Sequence, residues 1–279
     1  QGARAGQRVV TAAEAALLET LLTVATDAAR RTAALLLDAV DGPRRVDHKS
    51  TSTDLVTEMD RAAEALIVGA ILDARPDDGL LGEEGSDRAG TTGVRWIIDP
   101  VDGTTNYVYG HPGWGVSIGA ELDGELVLGV VADPSHGDLY TAVRGGGATC
   151  NDLPIRVSTC TDLAQALVAT GFGYAADRRR EQARTMVEIL PAVRDIRRMG
   201  AAAVDLCAVA RGRVDAYFEA GLSAWDLAAG FVIAREAGAT VLSMDGDVPR
   251  PGSVMAASPA LVEPLLDLLA RSGAAEIGA

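Results

Sequence analysis

The run Trp96-Ile97-Ile98-Asp99-Pro100-Val101-Asp102-Gly103 constrains the fold of this chain more than any other segment. A β-forming stretch ends at an aspartate, and Pro100, which has no N–H to donate, stops regular pairing. Asp102 returns three residues later, so two carboxylates converge beyond the carboxyl end of the strand with no Lys or Arg between them. Their repulsion is relieved most readily by a hard divalent cation such as Mg²⁺, which takes carboxylate and carbonyl oxygens. Gly103 lets backbone approach a ligand closely, and the hydroxyls of Thr104 and Thr105, with nearby amides, can receive a phosphate oxygen. The same spacing also fits a turn in which Asp99 and Asp102 only cap amides. Spacing alone leaves both readings open.

The 279 residues are 48% hydrophobic, enough for a sizeable core. Lys and Arg number 25 against 39 Asp and Glu, a net charge of −14, so duplex DNA and anionic membranes are not the expected partners. An acidic protein can still bind an anion where metal ions invert the local charge. Cys150, Cys160 and Cys207 have no CxxC spacing and read as buried small hydrophobes in a reducing, cytoplasmic setting. His48, His111 and His136 lack ligand spacing, which argues against a zinc site or a Ser/His triad. The apolar stretch 17–40 is interrupted by Glu19, Asp27, Arg30, Arg31 and Asp38 and reads as neither a membrane span nor a signal peptide.

Thr11-Ala12-Ala13-Glu14 has the form of a capping box before a long amphipathic helix to residue 40, ended by Asp41-Gly42-Pro43. A second helix is predicted over 60–74, closing at Arg75-Pro76. Strands are predicted over 94–98, 115–122, 126–132 and 139–143, with hairpin turns at 123–125 and 133–138 that make them antiparallel. Beyond residue 163 the patterns alternate: strand 166–170, helix 178–190, helix 201–210, strand 214–218, helix 227–237 and a final helix over 259–269. No repeat or linker interrupts them. The expectation is one α/β domain over 1–279, with two lobes of about 1–150 and 151–279 and a ligand cleft between them.

Other acids bear on the chemistry. In Gly82-Glu83-Glu84-Gly85 two glutamates follow an apolar run, and because adjacent side chains point apart, one of the two is the expected ligand. Acids from Asp54 to Asp60 open the second helix, where complementing the helix dipole is the ordinary explanation and suffices for Asp54. Asp226 opens the helix over 227–237 and by itself reads as an N-cap.

Taken in order, Lys49-Ser50 through Asp54-Leu55-Val56-Thr57 to Asp60, Gly82-Glu83-Glu84, the stretch from Trp96 to Asn106, Arg198-Met199-Gly200-Ala201-Ala202-Ala203-Val204 and Trp225-Asp226-Leu227-Ala228-Ala229-Gly230 through Gly238 resemble the signature regions of the inositol monophosphatase family. The resemblance implies an α/β fold of α+β type, the layered αβαβα sandwich shared with fructose-bisphosphatases, usually as a homodimer. It implies Mg²⁺-dependent hydrolysis of a phosphate monoester by a metal-activated water. Glu83, Asp99 and the Val101 carbonyl would hold one Mg²⁺, Asp99, Asp102 and Asp226 a second, and Glu83 would also serve a third, weaker ion. Gly103 and Thr104 would cradle the phosphate, and Asp60 would hydrogen-bond Thr104 so that the pair orients the water. Asp102, Gly200, Ala201, Ala202, Glu219 and Asp226 complete the implied substrate contacts. Ser52, Tyr107, Tyr109 and Ala239 depart from the family pattern without touching an implied metal ligand.

The implied substrate is a small phosphorylated polyol, first of all myo-inositol 1-phosphate; related families act on histidinol phosphate, fructose 1,6-bisphosphate or adenosine 3′,5′-bisphosphate. Glu219 favours a polyol, because a carboxylate accepts from ring hydroxyls and repels a second phosphate, although it also reads as an exposed acid after a strand. A reading of another class, a regulatory factor that binds RNA or protein, rests on Arg178-Arg179-Arg180 to Arg184 and on Arg194 to Arg198. A solvated helix face or a dimer contact explains those runs more simply.

Overall fold

The computed structural model describes residues 11–40, 42, 46–48 and 55–277; Lys49, Ser50, Ser52 and Asp54 lie outside them. Helix α1 (Ala12–Ala39) starts where the Thr11 hydroxyl accepts the Glu14 amide at 3.2 Å. Glu14 does not reach back to complete the box, since its carboxylate pairs with Arg144 from across the chain. Leu18, Leu21, Ala25, Ala28, Ala29 and Leu36, spaced three and four apart, make the buried stripe of α1. The short strands β1 (Val46–His48) and β2 (Leu55–Thr57) pair antiparallel, and α2 (Glu58–Ala74) follows, beginning two residues before the predicted start.

The first sheet contains β3 (Gly79–Gly82), β4 (Asp87–Arg88), β5 (Val94–Asp102), β6 (Gly115–Leu122), β7 (Glu125–Asp133), β8 (Asp138–Val143), β9 (Gly147–Cys150) and β10 (Leu153–Pro154), in the order β10-β9-β8-β7-β6-β5-β3-β4. From β5 to β10 neighbours are antiparallel, as the turn signals predict; β3 lies parallel to β5. The turn between β6 and β7 has positive φ at both Asp123 (54°) and Gly124 (82°), the geometry that matches strand twist in a two-residue hairpin. Strand β5 does not stop at Asp99. It runs through Pro100 to Asp102, where pairing to β6 shifts register: Asp99 faces Ser117 and Asp102 faces Gly115, so three steps on β5 match two on β6. The extra residue is a bulge, which accommodates a residue that cannot donate to the ladder.

After β5 come α3 (Thr104–Tyr109), β11 (Leu167–Thr170), α4 (Ala176–Ile189), β12 (Asp195–Arg197), α5 (Ala202–Ala210), β13 (Ala216–Ala220), α6 (Ala224–Glu236), β14 (Thr240–Leu242), β15 (Ser253–Ala257) and α7 (Val262–Ser272). The second sheet has the order β12-β11-β13-β15-β14. Helices α1 and α2 cover one face of the first sheet, α5 and α6 lie between the two sheets, and α4 and α7 cover the outer face of the second. This is the αβαβα layering. Strands β12, β14 and β15, of three to five residues, carry no clear alternation and are made strands by their neighbours.

The middle layer sits unusually close to the first sheet because two strand positions lack side chains. A Cβ at Gly119 would lie 2.7 Å from that of Ala228, and one at Gly129 would overlap the Ala229 carbonyl. Gly129→Ala should therefore push α6 off the sheet and cost about 1–3 kcal/mol, as overpacked cores do; urea denaturation that leaves the midpoint unmoved would show that the contact is soft.

Candidate active site

The bulge in β5 brings the carboxyl ends of several elements together. Oxygens of Asp99, Asp102 and Asp226 lie within 4.8 Å of one another, with Asp99 and Asp102 buried. Each carboxylate also holds backbone. Asp99 Oδ1 accepts the Val101 amide at 3.0 Å across the bulge, and Asp102 accepts the amides of Ala202 (3.1 Å) and Ala203 (2.7 Å) at the start of α5. Asp226 accepts the Ser223 amide at 2.6 Å and closes a capping box on α6. Ser223, not Asp226, is the N-cap, so α6 begins three residues ahead of its predicted start. Asp99 and Asp102 thus do accept amides as the turn reading expects, whereas Asp226 serves from the third helical position and is not the N-cap; the convergence holds as well, because a carboxylate oxygen that accepts one amide retains a second lone pair.

The cluster stores electrostatic repulsion. Burial pushes Asp99 well above the ordinary carboxylate range, and the neighbouring Glu83, Asp102 and Asp226 push it further. Asp102 is pushed up to about 7, by burial first, with the amide of Ala203 opposing and Glu219 and Glu83 adding to the rise. Asp226 rises through burial and through Asp102. Three hard oxygen donors with no Lys or Arg ion-paired to them among the described residues, and a surplus of acidic groups held out of water, are the donor set that Mg²⁺ fits. Glu83 follows β3, its amide donating to the Ile98 carbonyl at 3.1 Å, and it faces the same space.

A cavity of about 510 Å³ opens over this cluster, walled by Glu83, Asp99, Asp102 and Asp226, by Gly103 and Thr104, and by Gly200, Ala202 and Glu219 opposite. Gly103 sits at φ +86° between Gly113, Gly200 and Ala201, and a Cβ there would come within 3.0 Å of the Ala201 methyl. Only glycine suits both the conformation and the space. Thr104 Oγ1 lies within donating distance of Asp60 Oδ1 (3.1 Å) and of the Val101 carbonyl (3.0 Å), and its one hydrogen goes to one or the other. Asp60 is fully buried behind Thr104, off the cavity wall, and Ala201 is likewise buried behind it. Glu219 is not an exposed acid: its Oε2 accepts the Tyr217 hydroxyl at 2.7 Å, and Arg198 is the cation that acts on it.

One positioning residue escaped the sequence reading. Glu64, 3% exposed on α2, accepts the amides of Glu84 (2.8 Å) and Ser86 (2.9 Å) and so shapes the turn that carries Glu83. A signal was present: Glu64 lies on the stripe of Ala63, Ile67 and Ile71, where an acid has no place without a partner. The arginine runs, in turn, are mostly tied down locally. Arg179 donates to the carbonyls of Gly173 and Tyr174, Arg180 to Asp177, Arg194 to Gln165 and Arg197 to Asp195.

The sequence model of the inositol monophosphatase family matches residues 17–274. The chain belongs to the inositol monophosphatase family. Within it, the chain is 46% identical over 246 residues to the inositol-1-monophosphatase SuhB of Mycobacterium tuberculosis, covering 84% of each protein. It is 41% identical to the Nus factor SuhB of Pasteurella multocida, over 88% of this chain and 94% of that one. The crystal structure of the extragenic suppressor protein suhB from Bartonella henselae superposes with a TM-score of 0.86 at 35% identity, covering 89% and 98% of the two chains.

Two outcomes follow for this family member. Because Asp102 in the folded protein holds its proton up to about pH 7, against 3.8 ordinarily, the metal-free fold binds more protons than the unfolded chain between those values. That contribution is complete at low pH and is lost as pH rises through 7, so the gain in Tm on adding Mg²⁺ should be larger at pH 8 than at pH 5.5. Equal gains at the two values would contradict the electrostatic account. Glu64→Gln, which keeps the shape but can turn a donor towards the two amides, should weaken the affinity of the acidic cluster for a divalent cation such as Mg²⁺ about 10-fold or more, measured by thermal-shift titration with the ion.

Proposed function

We propose that the chain is a Mg²⁺-dependent phosphomonoester hydrolase acting on small phosphorylated polyols, with myo-inositol 1-phosphate as preferred substrate. The observation that carries this reading is the juxtaposition of the buried Asp99, Asp102 and Asp226 cluster with the Gly103–Thr104 corner on one cavity wall. Glu83, Asp99, Asp102, Asp226 and the Val101 carbonyl would hold the Mg²⁺. Bound there, the ions supply positive charge at the attacking and leaving oxygens and lower the pKa of a coordinated water.

The chain's own groups do the rest. The single hydroxyl hydrogen of Thr104 is directed to Asp60 or to the Val101 carbonyl, so towards the cavity its oxygen can only accept. It orients a water by taking one of its hydrogens. Asp60, behind Thr104, is placed to draw the proton away through that hydroxyl as the water attacks phosphorus and the P–O bond to the polyol breaks, the departing polyol oxygen taking its proton from solvent water in the open cavity. Phosphate oxygens rest against the backbone of Gly103 and Thr104 on the cavity wall at the start of α3. Across the cavity, Glu219, steadied by Tyr217, accepts from hydroxyls of the polyol. The route needs no covalent phosphoenzyme.

Asp99→Asn removes the carboxylate shared by both implied ions and should abolish phosphate release from myo-inositol 1-phosphate while cooperative unfolding is retained. A variant that keeps Mg²⁺-dependent turnover near the wild-type rate would overturn the mechanism. Measured side by side, kcat/KM should be highest for myo-inositol 1-phosphate among the four esters named above; a higher value for one of the others would reassign the substrate and leave the reaction class standing.

A further inference from the structure

Five carboxylates dominate the cavity, yet two arginines also reach it: Arg198, ahead of α5, and Arg178, in the first turn of α4. Arg198 stands by acids: burial pushes Glu219 and the buried Asp205 above the ordinary carboxylate range, and the Arg198 charge opposes that rise in both. Arg178 is different. It has no hydrogen bond or ion pair among the described residues, although Arg179 and Arg180 beside it are both engaged.

Its position is nevertheless built. The Arg178 stem lies across Gly173, where a Cβ would come within 2.7 Å of Cδ, and its guanidinium lies against Gly221, where a Cβ would overlap Nη1. The loop beneath it is held from both sides, the Gly173 amide donating to the buried Gln182 Oε1 at 2.9 Å and Arg179 Nη1 donating to the Tyr174 carbonyl at 2.6 Å. Two absent side chains and a fixed loop thus aim a partly buried, unpaired guanidinium into the cavity. Such a group is a planar fork suited to a carboxylate or a phosphate.

The sequence reading assigned Glu219 the task of repelling a second phosphate. In the structure that carboxylate accepts the Tyr217 hydroxyl and feels the Arg198 charge on the same cavity wall, so the repulsion is partly offset. We infer that Arg178 is a specificity-determining residue that binds a second anionic group, a phosphate or a carboxylate, on the same polyol phosphate whose ester is cleaved at the acidic cluster. The inference rests on the phosphatase reading above and extends its substrate class to dianionic esters.

The test uses matched pairs that differ only in the second anion: fructose 1,6-bisphosphate against fructose 1-phosphate, and 6-phosphogluconate against glucose 6-phosphate, with Mg²⁺ and the full chain. The wild type should favour the anionic member of at least one pair in kcat/KM, and which pair shows it tells phosphate from carboxylate. Arg178→Gln should lower that preference about tenfold or more, the scale of a charge-assisted bond, mainly through KM. Arg178→Lys should restore part of it. A wild type with no preference in either pair, or an Arg178→Gln that slows both members equally, would overturn the inference. If none of the four esters nor myo-inositol 1-phosphate is hydrolysed, the phosphatase reading itself fails, which is a separate outcome.

Discussion

The grip of Asp102 on the first turn of α5 is the contact on which the rest of the site depends. Asp102 ends β5 in the first sheet, and the two amides it accepts lie 100 and 101 residues further along the chain, at the head of a helix in the middle layer. A helix start leaves its first amides without partners, and a carboxylate there also meets the positive end of the helix dipole. One side chain therefore satisfies two buried donors and fixes the distance between a sheet and the helix layer above it. Asn106 reinforces the join, its Nδ2 donating to the carbonyls of Gly113 and Met199 at 2.6 Å each. With that join in place, Gly103, Gly200 and Ala201 pack against one another and the Gly103–Thr104 corner has its shape.

Three helix starts face the cluster: α3 at Thr104, α5 at Ala202 and α6 at Ala224. Their dipoles favour negative charge, which is why so many acids can be held there at all. They do not suffice, since burial and mutual repulsion still hold Asp99, Asp102 and Asp226 on the protonated side of their ordinary range. The residual imbalance suits the site to a cation ahead of an anion. The global charge of −14 disfavours large polyanions at the surface, whereas the local balance in the cavity is reset by what binds.

Much of this was legible in the chain itself. The run into Asp99-Pro100-Val101-Asp102-Gly103 carries its own physics, because a strand that ends on paired acids and a glycine must either turn or bind. Long periodic elements such as α1, and the meander from β5 to β8, could be read with small boundary errors, and those errors have causes: Ser223 caps α6 ahead of its apolar stretch, and a bulge carries β5 past Pro100. What could not be read depends on partners distant in the chain. β12, β14 and β15 are strands by virtue of their neighbours, and the pairing of Glu14 with Arg144 spans 130 residues. Local propensity carries no record of such contacts.

The turn that carries Glu83 has an evolutionary corollary. A Cβ on Gly82 would fall 2.5–2.8 Å from the carboxylate atoms of Glu64, the same carboxylate that holds the amides of Glu84 and Ser86. Neither position can drift alone: a side chain at 82 evicts the acid, and a shorter residue at 64 strands two part-buried amides. Across a lineage the two sites should change together or not at all, an alliance between one residue with no side chain and another, eighteen places earlier, whose side chain occupies the room it leaves.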